Sequence, residues 1–130
     1  SISPMLFNVY ILMIRYTSSI RVSYETRSAV ERLLSKDGIT LLRRVLDLVK
    51  AVAIASNWPL TKIEVRHVVD PEVKGWEYVL LIPVFDCSFN VADGYLHELY
   101  ADIDAMGDRL SKNENDILQK LIFFDVETIS

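Results

Sequence analysis

Apolar and polar positions follow two periods along this chain, and the change from one to the other marks out its elements. From Lys62 to Asp70 the period is two: Ile63, Val65, His67 and Val69 fall on one side, and Lys62, Glu64 and Arg66 on the other. That alternation predicts a half-buried strand. Asp70-Pro71-Glu72-Val73-Lys74-Gly75 then reads as a hairpin loop, because Asp, Pro and Gly each favour turn conformations. In the strand predicted next, Trp76 to Cys87, both sides are apolar: Tyr78, Leu80, Ile82 and Val84 on one, Val79, Leu81 and Phe85 on the other. A strand of this kind is expected at the centre of a sheet, covered twice. Pro83 cannot donate to a ladder, so a bulge or a strand end is expected there.

Helical spacing governs most of the rest. Leu96, Leu99, Ile103, Met106 and Leu110 recur at intervals of three and four, predicting an amphipathic helix over about residues 91–110. Ser111 and Glu114 have the spacing of a capping box and open a short helix to about Lys120. Leu121 to Thr128 is expected as a final strand, with continued helix to Phe124 as its competitor. Near the other end, Phe7 to Tyr16 reads as a buried strand. A helix is expected from about Glu25 to Ser35, stopped by Asp37-Gly38, and a second from about Thr40 to Ala55 before Trp58-Pro59.

The second of these helices is polar over only a narrow sector. At 100° per residue Arg43, Arg44, Asp47 and Lys50 span about 120°, leaving Leu41, Leu42, Val45, Leu46, Leu48, Val49 and Val52 around the remainder. One sheet face does not cover that much surface. The helix is expected to pack on its own sheet and a second helix, or on a second subunit, which makes those seven residues candidate interface positions.

Composition sets the frame without altering these elements. The chain has 130 residues, 51% of them hydrophobic, with four Gly and four Pro, and is expected to form a single domain over residues 1–130. Its one cysteine, Cys87, leaves no intrachain disulfide framework and suits a reducing, cytoplasmic compartment. The apolar stretch Met5 to Ile14 has ten residues where a membrane-spanning helix needs about twenty, and it lacks the basic start and cleavage pattern of a signal peptide. Ser1-Ile2-Ser3-Pro4 ahead of Met5 read as a remnant of expression.

Charge does change the picture. Residues 1–66 hold ten basic against five acidic residues and residues 67–130 four against thirteen, so the halves carry +5 and −9. Such asymmetry points to electrostatic pairing, between the halves or with a partner.

Candidate chemistry is sparse. Asp93, His97, Asp104 and Asp108 project within about 60° of one another on the predicted acidic helix, and imidazole with carboxylates suits a divalent cation. The competing reading is a solvated helix face, and the stripe is long: Asp93 and Asp108 lie about 22 Å apart at 1.5 Å per residue. Cys87 beside Asp86, with His67 and His97 as the only histidines, allows a Cys-His nucleophilic pair in principle. No glycine-rich oxyanion turn accompanies it, and a lone cysteine more often packs as a small hydrophobe. His67 is expected as a hydrogen-bonded core or interface residue. Gly38, Gly75, Gly94 and Gly107 are too scattered for a nucleotide-binding loop, so no cofactor is expected.

Two helices joined through Ser35-Lys36-Asp37-Gly38 and followed by a hairpin resemble, in element order alone, a winged helix-turn-helix over residues 25–85. The resemblance implies DNA contacts from Arg43, Arg44 and Lys50. An apolar wing and a pI of about 5.1 oppose it.

The expected fold is therefore α+β: a small, mainly antiparallel sheet around the 62–87 hairpin, packed by helices, in the order β-α-α-β-β-α-α-β. The expected function is self-association, most simply as a homodimer, or interaction with a protein partner, without catalysis. A DNA-associated regulator and a metal-dependent enzyme using the acidic helix are the alternatives. Neither nucleic acid nor membrane is an expected partner.

Overall fold

The computed structural model describes residues 20–129, so the strand expected at Phe7 to Tyr16 lies outside the described residues. The described residues form β1 (Arg21–Tyr24), α1 (Arg27–Ala55), β2 (Leu60–Val69), β3 (Glu77–Phe85), α2 (Phe89–Gly107), α3 (Lys112–Leu121), β4 (Ile122–Phe124) and β5 (Glu127–Thr128). Their class is α+β, with three helices and a five-stranded sheet. The sheet runs β1-β2-β3-β4, with β5 also paired to β3.

The sheet is mixed rather than mainly antiparallel. Among the described strands only β2 and β3 pair antiparallel, with Val65 opposite Leu81 and His67 opposite Val79. β1 joins β2 in parallel, and both β4 and β5 join β3 in parallel. The reason lies in the connections: α1 carries the chain from β1 to β2, and α2 with α3 carries it from β3 to β4. A helical crossover brings the returning strand back in the same direction.

The two helices expected between residues 25 and 55 follow one another across a sharp kink, and together they make α1. Ser35 breaks it, with φ 61° and ψ −176°, a region that glycine adopts freely and other residues rarely do. Gly38 is not a stop. It is buried, and a Cβ there would come within 2.7 Å of the Leu34 Cβ, so glycine at this position lets the two arms of the kink close on each other. The true end of α1 is a Schellman motif: Asn57 takes the left-handed conformation at φ 60°, its N–H bonding Ile54 and the Trp58 N–H bonding Ala53.

Pro83 sits within β3, opposite Ile63, and does not end it. Alternate residues of a strand direct their main-chain groups to the same side. The carbonyls of Leu81 and Phe85 accept from Asp125 and Ile129 on the β4/β5 side, so Pro83 turns its missing donor toward the break between those strands. The final strand expected over Leu121 to Thr128 is split at that break.

All three helices cover one face of the sheet. Val30, Leu41, Val45 and Val49 of α1, Tyr95 and Leu99 of α2 and Leu118 of α3 form one cluster with Ile63, Val65, Val79, Leu81, Phe85 and Ile122. Of the seven candidate interface residues, Leu41, Leu42, Val45, Leu46, Val49 and Val52 are buried in this cluster and Leu48 packs against it. The chain's own sheet and helices cover α1, which is the first of the two expected packings. That face is not left exposed for a second subunit.

Polar groups tie the layers together. The buried Tyr95 hydroxyl donates to the Val49 carbonyl at 2.9 Å, and burial pushes its phenol well above the usual range. Glu98 of α2 accepts from Ser56 and from Trp58 Nε1 at the end of α1, which holds its carboxyl below the usual value. The expected capping box opens α3, with Glu114 N–H to Ser111 Oγ at 3.2 Å and Ser111 N–H to Glu114 Oε1 at 3.1 Å.

Candidate functional site

The fold separates most of the residues singled out by sequence. His67 and Cys87 stand toward opposite ends of β3: His67 pairs with Val79, six residues and about 20 Å from Phe85 at the rise of a strand. Cys87, two residues further on, packs against the core. His67 instead accompanies Glu77, with Nε2 at 2.8 Å from Oε1, and the same carboxylate oxygen takes Arg32 Nη2 at 3.3 Å. His97 projects into solvent with its side chain 80% exposed, 3.5 Å from Asp93. The Cys-His pair is thus not assembled.

Nor does the acidic helix gather a metal site. Asp93 and His97 stand together near the start of α2, whereas Asp104 and Asp108 line a cleft near its end. Among the described residues no group of three His, Cys, Asp or Glu side chains is placed to hold a metal ion.

The basic residues of α1 are engaged in different ways. Arg44 Nη1 meets Glu114 Oε2 of α3 at 3.2 Å, Arg43 is exposed and Lys50 is half-buried. The 62–87 hairpin forms the middle of the sheet, with β1 on one side and β4 and β5 on the other, so it does not stand free as a wing. Part of the charge asymmetry is spent inside the chain. Arg32–Glu77, Arg44–Glu114 and Arg66–Glu127 each join the basic half to the acidic half.

On the sheet face away from the helices two stripes run side by side. Along β2, Arg66 Nη2 bonds Glu64 at 2.6 Å and approaches Glu127 at 3.4 Å, its Nε lies 3.5 Å from Glu25, and Lys62 meets Glu64 at 3.2 Å. The bonds from Arg66 and then Lys62 hold the Glu64 carboxyl below its ordinary value. At the hairpin end of β3 and in β4 the stripe is aromatic; further along β3 it continues as Leu80, Ile82 and Val84, the last two buried. Trp76 and Tyr78 have ring centres 5.0 Å apart, Tyr78 and Phe123 5.1 Å, and Trp76 and Phe123 5.9 Å. Trp76 is exposed, and Tyr78 and Phe123 are half-buried. Val68 lies opposite Tyr78 and Leu80 opposite Phe123, so aliphatic side chains flank the rings.

The loop that brings in Trp76 is held by its own bonds. Asp70 Oδ1 accepts from the N–H groups of Glu72 at 2.8 Å and Val73 at 2.7 Å. Asp70 N–H bonds the Trp76 carbonyl at 2.9 Å, and Gly75 supplies a φ of 82°. Sequence reasoning assigned Trp76 and Tyr78 to a strand without seeing this cluster, because Phe123 arrives from 45 residues beyond Tyr78 through the α2–α3 crossover. The available signal was the pair of adjacent phenylalanines, Phe123 and Phe124, in a short strand.

No protein-family model matches the chain, and no curated protein or solved structure matches it. No helix among the described residues is long and apolar enough to cross a membrane.

Proposed function

We propose that this protein is a non-catalytic association domain that forms a homodimer through the aromatic stripe of Trp76, Tyr78 and Phe123. The observation that carries this reading is the three-ring cluster itself, with Trp76 exposed at one end. Partly exposed aromatic side chains in contact with one another supply large apolar area at little entropic cost, and interfaces are enriched in them. The internally bonded Asp70–Trp76 loop adds to the reading, since a surface already fixed in place loses less freedom on docking. Residues of the Arg66 network beside it, carrying both signs of charge, provide a polar rim. The single cysteine favours a cytoplasmic setting for this dimer.

The test is solution mass across dilution at low and high salt. A mass of twice 14.9 kDa at micromolar concentration, retained in high salt, is the expected result for a mainly apolar interface. A monomer at both salt concentrations removes the proposal, and a dimer that dissociates in high salt transfers the contact from the rings to charged groups.

A further inference from the structure

A cleft of about 400 Å³ opens where α2 and α3 pass over β4. It does not belong to the aromatic stripe, although Phe123 borders both. Its apolar surface comes from Ile103, Leu118, Ile122 and Phe124, and Tyr100 stands against Phe124 with ring centres 6.1 Å apart and planes at 88°. Gly107 and Asn115 set the approach of the two helices: a Cβ on Gly107 would come within 3.2 Å of Asn115 Oδ1.

The polar lining is one-sided. Asp104 and Asp108, one turn apart on α2, are the charged residues that line it among the described residues, with no Lys, Arg or His beside them there. Asn115 and Gln119 are neutral and already bonded to each other, with Gln119 Nε2 at 3.3 Å from Asn115 Oδ1. Partial burial, and after it the negative charge of Asp125, raise the Tyr100 phenol above its usual value.

Carboxylates attract a positive charge, and the apolar and aromatic surface beside them suits an apolar body attached to it. A small inorganic cation does not fit this lining: the space far exceeds one ion, and Ile103, Leu118, Ile122 and Phe124 offer it no ligand oxygen from their side chains. A ligand with an ammonium head and a flat apolar body uses both parts, and the volume lies within the range of small-molecule pockets.

We propose that the α2–α3–β4 cleft binds an arylalkylammonium ligand, with the ammonium between Asp104 and Asp108 and the apolar body against Tyr100, Ile103 and Phe124. This proposal is independent of dimerisation. The probe is 2-phenylethylammonium, titrated into the full chain while amide chemical shifts are followed, with 2-phenylethanol as a neutral control of the same shape. The expected result is a saturable shift of amides in residues 100–108 and 115–124, with the alcohol bound at least about tenfold more weakly. Asp104→Asn with Asp108→Asn, both exposed positions, should bring the ammonium to the level of the alcohol while leaving the folded spectrum intact. Equal binding of the two compounds, shifts confined to other segments, or no saturable shift for the ammonium would each overturn the assignment.

Discussion

The two faces of the sheet are made from the same strands and carry different side chains. Leu80 and Leu81 are neighbours in β3. Leu81 is completely buried beneath the helices, while Leu80 is half-buried beside Phe123 on the other side. On the helix side, burial of α1, α2 and α3 against Val65, Leu81 and Phe85 supplies the stability of the fold. On the far side, the charged β2 residues lie beside Leu80, Ile82 and Val84, with the aromatic residues at the hairpin end of β3 and in β4. An apolar position in a strand therefore does not reveal its burial, which depends on what lies over it: Leu80 is half-buried, whereas Ile82 and Val84 on the same face are buried.

The largest effect should come from Leu81→Ala, which opens a cavity on the helix side and is expected to cost about 2–5 kcal/mol in urea unfolding. Leu80→Ala should cost roughly 1 kcal/mol or less, because its side chain is already partly in water, and should weaken the dimer. Equal losses from the two would erase the distinction between the faces.

Gly38→Ala comes next. In an ordinary helix this change stabilises by roughly 1 kcal/mol. Here the added methyl meets Leu34, so a loss of about 1–3 kcal/mol is expected, seen as a lowered denaturation midpoint. A gain would show that the arms of the kink do not close as described. Ser35→Gly has the opposite sign: removing the side chain from a glycine-like conformation should stabilise by about 1 kcal/mol.

The charged stripe is expected to matter least. Glu64 has its folded pKa lowered by Arg66 and Lys62 from an ordinary 4.5. Its contribution is therefore fully present above that value and disappears as pH falls through the lower folded one. Wild type should exceed Glu64→Gln by roughly 0.5 kcal/mol at neutral pH, since the pair is partly solvated, and the difference should vanish in acid. A difference that grew on acidification would reverse the sign of this linkage.

Much of this architecture was legible in the sequence because burial leaves a period. The alternation in Lys62 to Asp70, the doubly apolar β3, the three-and-four spacing of α2 and the Ser111–Glu114 box all reappear as structure. Features set by tertiary geometry were not legible. β1 has four residues, too few for alternation to register, and its parallel pairing depends on where α1 returns. The break between the two expected helices falls at Ser35, where the first was expected to end, but its positive φ at a serine has no local signal, and Gly38 resembles a helix stop although its use is close packing. The apolar girth of α1 demands several partners, and its pattern alone does not say whether they come from the same chain. The aromatic stripe and the cleft are formed by segments brought together only when β4 docks on β3.

The most direct test of the division between faces is the solution mass and urea stability of Trp76→Glu beside wild type. A charge placed on the aromatic stripe should convert a dimer to a monomer of 14.9 kDa, with the stability of the monomer itself changed by less than about 1 kcal/mol. A variant that remains dimeric, or that loses its fold along with its partner, would contradict the assignment of recognition to this face and stability to the other.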